Sequence, residues 1–191
     1  MLQEREALGA PWRREGQEDA TISVRLQTRS GLERIFEYAF DYASRHGFDR
    51  VTFVDKPMVL RHSSAFTRGV FESVAKGDPG IEGVIENVDA VALWMVQRPE
   101  RFSVVVAENM FGDILSDLGA GVMGGLGIAP SGHFGKLVAY FEPLHASAPA
   151  HAGLNKANPS AMFMTIALML EHLGYPQEAH YVTTAVSRVA R

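Results

Sequence analysis

The sequence predicts a layered α/β fold. Short apolar runs of strand character recur at residues 50–54, 81–88 and 102–107, and stretches of helical periodicity lie between and after them. The third run delivers polar residues to the start of a helix, which is where open α/β sheets place their ligands. The 191 residues are enough to bury a sizeable core, as one domain or two small ones.

Composition excludes several function classes. A hydrophobic share of 47% and a charged share of 21% are ordinary for a soluble globular chain. A net charge of −4 argues against a nucleic-acid partner. With no cysteine, disulfides, thiolate metal sites and cysteine nucleophiles are all ruled out. No apolar run is long enough to span a bilayer and no signal-peptide core is visible, so the expected location is cytoplasmic, with no membrane partner.

Residues 1–16 lack periodicity and read as a tail or loop. Residues 21–27 alternate with period two and read as a strand. A helix opens at Thr28, with Leu32, Ile35, Phe36, Ala39, Phe40 and Ala43 as its apolar stripe. Gly47 is its expected left-handed cap. The strand at 50–54 carries Lys56 to its carboxyl end, and a helix follows Pro57. After the turn Gly77-Asp78-Pro79-Gly80 come the strand at 81–88 and a helix over 90–97, with Asp89 at the change between them. Asn109 reads as the cap of the helix after the third strand. Residues 137–141 read as a short strand, 143–159 as a long loop of the functional kind, and 159–173 and 176–191 as two closing helices.

Within Glu108-Asn109-Met110-Phe111-Gly112-Asp113-Ile114-Leu115-Ser116-Asp117, the two aspartates stand four apart on one helix face. By spacing alone they read as a solvated acidic face; a cation held by both would reverse their repulsion. Lys56 by spacing alone is a surface lysine, and Asp89 a helix cap.

"AENMFGDILSD", the downstream "EPLHASAPAHAG" and "ANP" together resemble the β-decarboxylating dehydrogenases, which include isopropylmalate, isocitrate and tartrate dehydrogenases. The resemblance covers roughly residues 17–191. It implies that family's layered fold in incomplete form: a small dimerisation and metal-site domain over 17–123 and part of a large domain with the cofactor loop over 124–191. Asp113 and Asp117 then match metal ligands, and "NVDAVALWMV" resembles the segment whose aspartate, here Asp89, is the third. Such a carboxylate set suits Mg²⁺ or Mn²⁺. In the resembled family Lys56 and Asp89 come from one subunit and the other two aspartates from its partner, which implies a homodimer with shared sites. "VTFVDKPMVL" resembles the segment whose lysine, here Lys56, moves the proton of the substrate hydroxyl. His145, Ser147, Ala148 and Asn158 match the loop that cradles the adenosine of the cofactor.

The implied chemistry is NAD(P)-linked oxidative decarboxylation of a 2-hydroxy-3-carboxy acid such as 3-isopropylmalate, with isocitrate, tartrate or malate as alternative substrates. Two departures bear on the cofactor. Met58 stands where relatives carry an asparagine that orients the nicotinamide, and a thioether cannot replace its hydrogen bonds. Ala150-His151 fits neither the aspartate of NAD users nor the Lys-Tyr of NADP users, so NAD is expected and NADP stays open. A full family member is close to twice this length, and its substrate-gripping arginines and enolate-protonating tyrosine have no counterpart here. The expectation is a truncated chain with little or no turnover alone; a non-catalytic partner subunit and a plain metal- or nucleotide-binding fragment are the alternatives. No GxGxxG, GxSxG or Walker lysine occurs, so a Rossmann fingerprint, a hydrolase elbow and a P-loop have no support.

Overall fold

The computed structural model describes residues 12–14, 17–20 and 23–189. A hairpin of β1 (Trp12–Arg14) and β2 (Gln17–Ala20) opens it, antiparallel. The expected tail over 1–16 is therefore partly strand; its remaining residues lie outside the described ones. The expected strand over 21–27 is corrected. Residues 21 and 22 are outside the described set, and 23–27 run as irregular chain. Val24 and Leu26 are 73% and 77% exposed, so the alternating pattern there has no sheet face to cover it.

Helix α1 (Arg29–His46) starts at Thr28, whose hydroxyl accepts the Gly31 amide, and stops at Gly47 in the left-handed conformation, φ 69°. Strand β3 (Arg50–Asp55), helix α2 (Arg61–Ala75), strand β4 (Glu82–Asn87), helix α3 (Val88–Gln97), strand β5 (Val104–Ala107) and helix α4 (Asn109–Met123) follow. The three strands make one parallel sheet in the order β4-β3-β5. Its centre, β3, is buried from Val51 to Asp55, as a strand covered on both faces must be.

One face of the sheet receives Leu32, Phe36, Ala39, Phe40 and Ala43 of α1 with Val70 and Phe71 of α2. Phe36 sits edge-on to Phe53 and Phe71 at 5.0 and 5.2 Å between ring centres, a favoured quadrupole arrangement. The other face packs Val54 against Val91 of α3 and Leu115 of α4. The α/β layering read from the sequence is what the chain adopts.

Beyond α4 the chain forms an antiparallel pair, β6 (Pro130–Phe134) with β7 (Ala139–Pro143), then α5 (Ser160–His172) and α6 (Pro176–Val189). The strand expected at 137–141 thus lies two residues later, and its partner β6 had no sequence signal because Pro130 and Gly132 interrupt it. His172 of α5 packs on Phe134 and Phe141, and His46 of α1 reaches Glu171 at 3.4 Å. Among the described residues, no helix is long and apolar enough to cross a membrane.

Candidate functional site

Lys56 is the first residue past β3, and the ladder pairs Asp55 with Asn87 at the end of β4. Helix α3 begins at the next residue, so Asp89 sits in its first turn beside the carboxyl end of β3. Lys56 Nζ lies 2.9 Å from Asp89 Oδ1. That hydrogen bond holds the Asp89 carboxyl below the usual carboxylate range, assisted by the amides of Asp89 and Ala90 at the helix start. Asp89 does not cap the helix: Asn87 occupies the cap position.

Beneath Lys56 lies a polar network that sequence reasoning missed. The Asp55 carboxylate is 5% exposed. Its Oδ1 accepts the Lys56 backbone amide at 2.7 Å and the buried Ser64 hydroxyl at 2.8 Å. Its Oδ2 accepts from Arg68 Nε at 3.1 Å. A buried carboxylate needs such partners, and here they fix the backbone from which Lys56 projects. The available signal was an aspartate closing an apolar strand, followed by Ser64 and Arg68 one helical turn apart.

Asp113 and Asp117 stand exposed on α4 next to exposed Met110 and Ile114. The helix cap is Glu108 rather than the expected Asn109: its carboxylate faces the Phe111 amide at 3.4 Å and Arg25 Nη1 at 2.6 Å. Glu108 was a second missed residue, since an acidic side chain at that position meets the positive end of the helix. One chain thus brings together Lys56 and Asp89. Among the described residues it gathers no three His, Cys, Asp or Glu groups able to hold a cation. Asp89 fits a hard divalent ion in kind, being an exposed, readily ionised oxygen donor.

The segment between β7 and α5 is loop with one short turn at Pro149–His151. His145 and Ser147 are exposed there, and His145 Nδ1 lies 2.9 Å from the Ala146 carbonyl. Ala148 takes the left-handed conformation at φ 44°, uncommon for a residue with a Cβ. Asn158 Oδ1 accepts the Ser160 amide at 2.9 Å, one residue before Pro159 at the cap position of α5. Ala150 and His151 are exposed, as is Met58.

The Lys56 amine and Asp89 carboxylate are paired at the carboxyl ends of neighbouring parallel strands, the position at which open α/β sheets place their ligands. The isocitrate/isopropylmalate dehydrogenase profile matches residues 5–191, and the chain belongs to that family. It is 54% identical over 180 residues to protein DlpA of Legionella pneumophila, covering 94% of this chain and 29% of that protein. It is 43% identical to the 3-isopropylmalate dehydrogenase of Methanothermobacter thermautotrophicus, over 89% of this chain and 52% of the enzyme. The crystal structure of isocitrate dehydrogenase from Methylococcus capsulatus superposes with a TM-score of 0.89 at 43% identity, over 94% of this chain and 53% of that one. The chain thus spans about half the length, or less, of these relatives.

Proposed function

We propose that this chain carries part of a metal-dependent, NAD(P)-linked site for oxidative decarboxylation of a 2-hydroxy-3-carboxy acid, with a 3-isopropylmalate-like substrate. Isocitrate, tartrate or malate would use the same groups. The observation that supports this most directly is the Lys56–Asp89 contact of 2.9 Å at the carboxyl ends of β3 and β4. Asp89 of one copy, with Asp113 and Asp117 of a second, would hold Mg²⁺ or Mn²⁺ in a homodimer. The exposed Met110 and Ile114 beside those aspartates give α4 an apolar surface suited to a second copy. A bound divalent cation supplies Lewis-acid polarisation of the substrate oxygens. A nicotinamide dinucleotide, NAD by preference and with NADP open, supplies the hydride acceptor when held by the loop of His145, Ser147, Ala148 and Asn158.

Lys56 takes the substrate hydroxyl proton. Its backbone amide donates to the Asp55 carboxylate and its amine lies against Asp89, so base and carboxylate stand side by side at the strand ends. The site works in the cytoplasm, and turnover by this chain alone is low. A non-catalytic role beside a longer relative is the second reading, favoured by coverage of only 29% to 53% of the relatives above.

The test is subunit complementation of metal binding. Asp89→Asn and Asp113→Asn chains are purified separately, mixed, and titrated with Mn²⁺. Each alone should bind weakly, and mixed dimers should regain one intact site. Equal loss in the mixture would refute the shared site. Reduction of NAD⁺ and NADP⁺ with each candidate acid then ranks the substrates, and robust turnover by the chain alone would overturn the low-activity reading.

A further inference from the structure

Residues 23–27 run as irregular chain, yet two of their side chains are engaged. Gln27 Oε1 lies 3.3 Å from Thr67 Oγ1 of α2. Arg25 Nη1 lies 2.6 Å from Glu108 Oε1 at the start of α4. The segment therefore ties α2 to α4, with Val24 and Leu26 left exposed between the anchors. The Glu108 side chain is only 10% exposed. A carboxylate so far out of water needs a cation and hydrogen-bond donors facing it. Arg25 supplies the cation, and the Phe111 amide donates at 3.4 Å. The guanidinium also lies 5.9 Å from the centre of the Phe111 ring, within cation–π range, and Phe111 is buried. Arg25 thus holds the first turn of α4 at two points, its cap and its buried aromatic.

We propose that Arg25 is a positioning residue for the two aspartates of α4. It fixes the first turn of the helix, and that turn sets where Asp113 and Asp117 stand. Asp113 comes two residues past Phe111, and Asp117 follows one helical turn later on the same face. Both aspartates are exposed, so the start of the helix, not packing of their own side chains, locates them. Arg25 acts through Glu108 and Phe111 and touches neither aspartate's ligand. Lysine at this position would keep a charge against Glu108 but lose the planar guanidinium beside the Phe111 ring. This proposal deepens the metal-site reading above and rests on it.

The full chain is compared with Arg25→Gln, Arg25→Lys and a control, Arg29→Gln, which breaks an exposed pair with Glu33 inside α1. Electron paramagnetic resonance reads Mn²⁺ affinity, and hydrogen exchange reads the Phe111 and Gly112 amides of the first turn. In Arg25→Gln those two amides should exchange about fivefold faster, with the strand amides of β3 unchanged. Its Mn²⁺ affinity should fall about fivefold. Arg25→Lys should recover most of both losses, and Arg29→Gln should match the parent. No Mn²⁺ binding by the parent chain would overturn the metal-site reading and this proposal with it. Parent binding that Arg25→Gln leaves unchanged, or first-turn exchange that it leaves unchanged, would overturn this proposal alone. Faster exchange spread into β3 would do the same, because it would mark a general loosening in place of a misplaced helix start.

Discussion

Replacing Asp55 by alanine should cost far more stability than replacing Asp41, although each removes the carboxylate of one ion pair with an arginine. In Asp55→Ala the Ser64 hydroxyl, in a residue only 2% exposed, and the Lys56 amide both lose their acceptor. Orphaning each costs ~1–1.5 kcal/mol. The Arg68 side chain is 35% exposed, so water replaces its lost partner and that contact contributes at most ~1 kcal/mol. The total is about 3 kcal/mol. For a domain of this size each kcal/mol lowers the melting temperature by roughly 2–4 °C, so a drop of about 6–12 °C is expected. Asp41→Ala breaks an ion pair with Arg45 that is exposed on both sides and should lower it by no more than about 2–4 °C. Urea unfolding of both variants against the parent chain measures the difference. Equal losses would show that the network's strength is the exposed ion pair rather than the buried hydrogen bonds.

Three further outcomes follow from the same geometry. Lys56→Met should raise the Asp89 carboxyl toward its ordinary value, read by NMR titration; because Lys56 depresses it in the folded chain, the contact stabilises above the ordinary carboxylate range and is lost as pH falls through the depressed value. Thr28→Ala should cost about 1 kcal/mol in urea unfolding by removing the acceptor of the Gly31 amide. Ala148→Gly should stabilise by about 0.5–1 kcal/mol, since glycine adopts φ 44° without a Cβ clash, and a lower melting temperature would contradict this.

The strand and helix order of the first sheet was legible because its apolar residues follow the two periods cleanly from Leu32 to Leu115. Residues 23–27 have the same period and no strand, because periodicity names a face but not what covers it. Strand β6 was illegible for the opposite reason: Pro130 and Gly132 hide a segment whose partner, not its own propensity, makes it a strand. At the site, Lys56 and Asp89 were each visible through motifs, yet their contact of 2.9 Å depends on the pairing of β3 with β4. Asp55 carries no motif of its own, and its burial depends on Ser64 and Arg68, which α2 brings onto its carboxylate. Asp113 and Asp117 stand exposed on α4, and among the described residues no third acidic or histidine group joins them.

The parallel ladder of β3 and β4 runs unbroken from Arg50 beside Glu82 to Asp55 beside Asn87. Six matched rungs act as a ruler: the spacing between amine and carboxylate is set in the sheet, with only one residue past the strand on one side and two on the other. A slip of a single rung would carry Asp89 about 3.3 Å along the strand axis and turn every β4 side chain to the opposite face. The placement of these two groups is thus inherited from a ladder whose central strand is buried from Val51 to Asp55, and a loop substitution nearby can alter what they touch without altering the register that holds them.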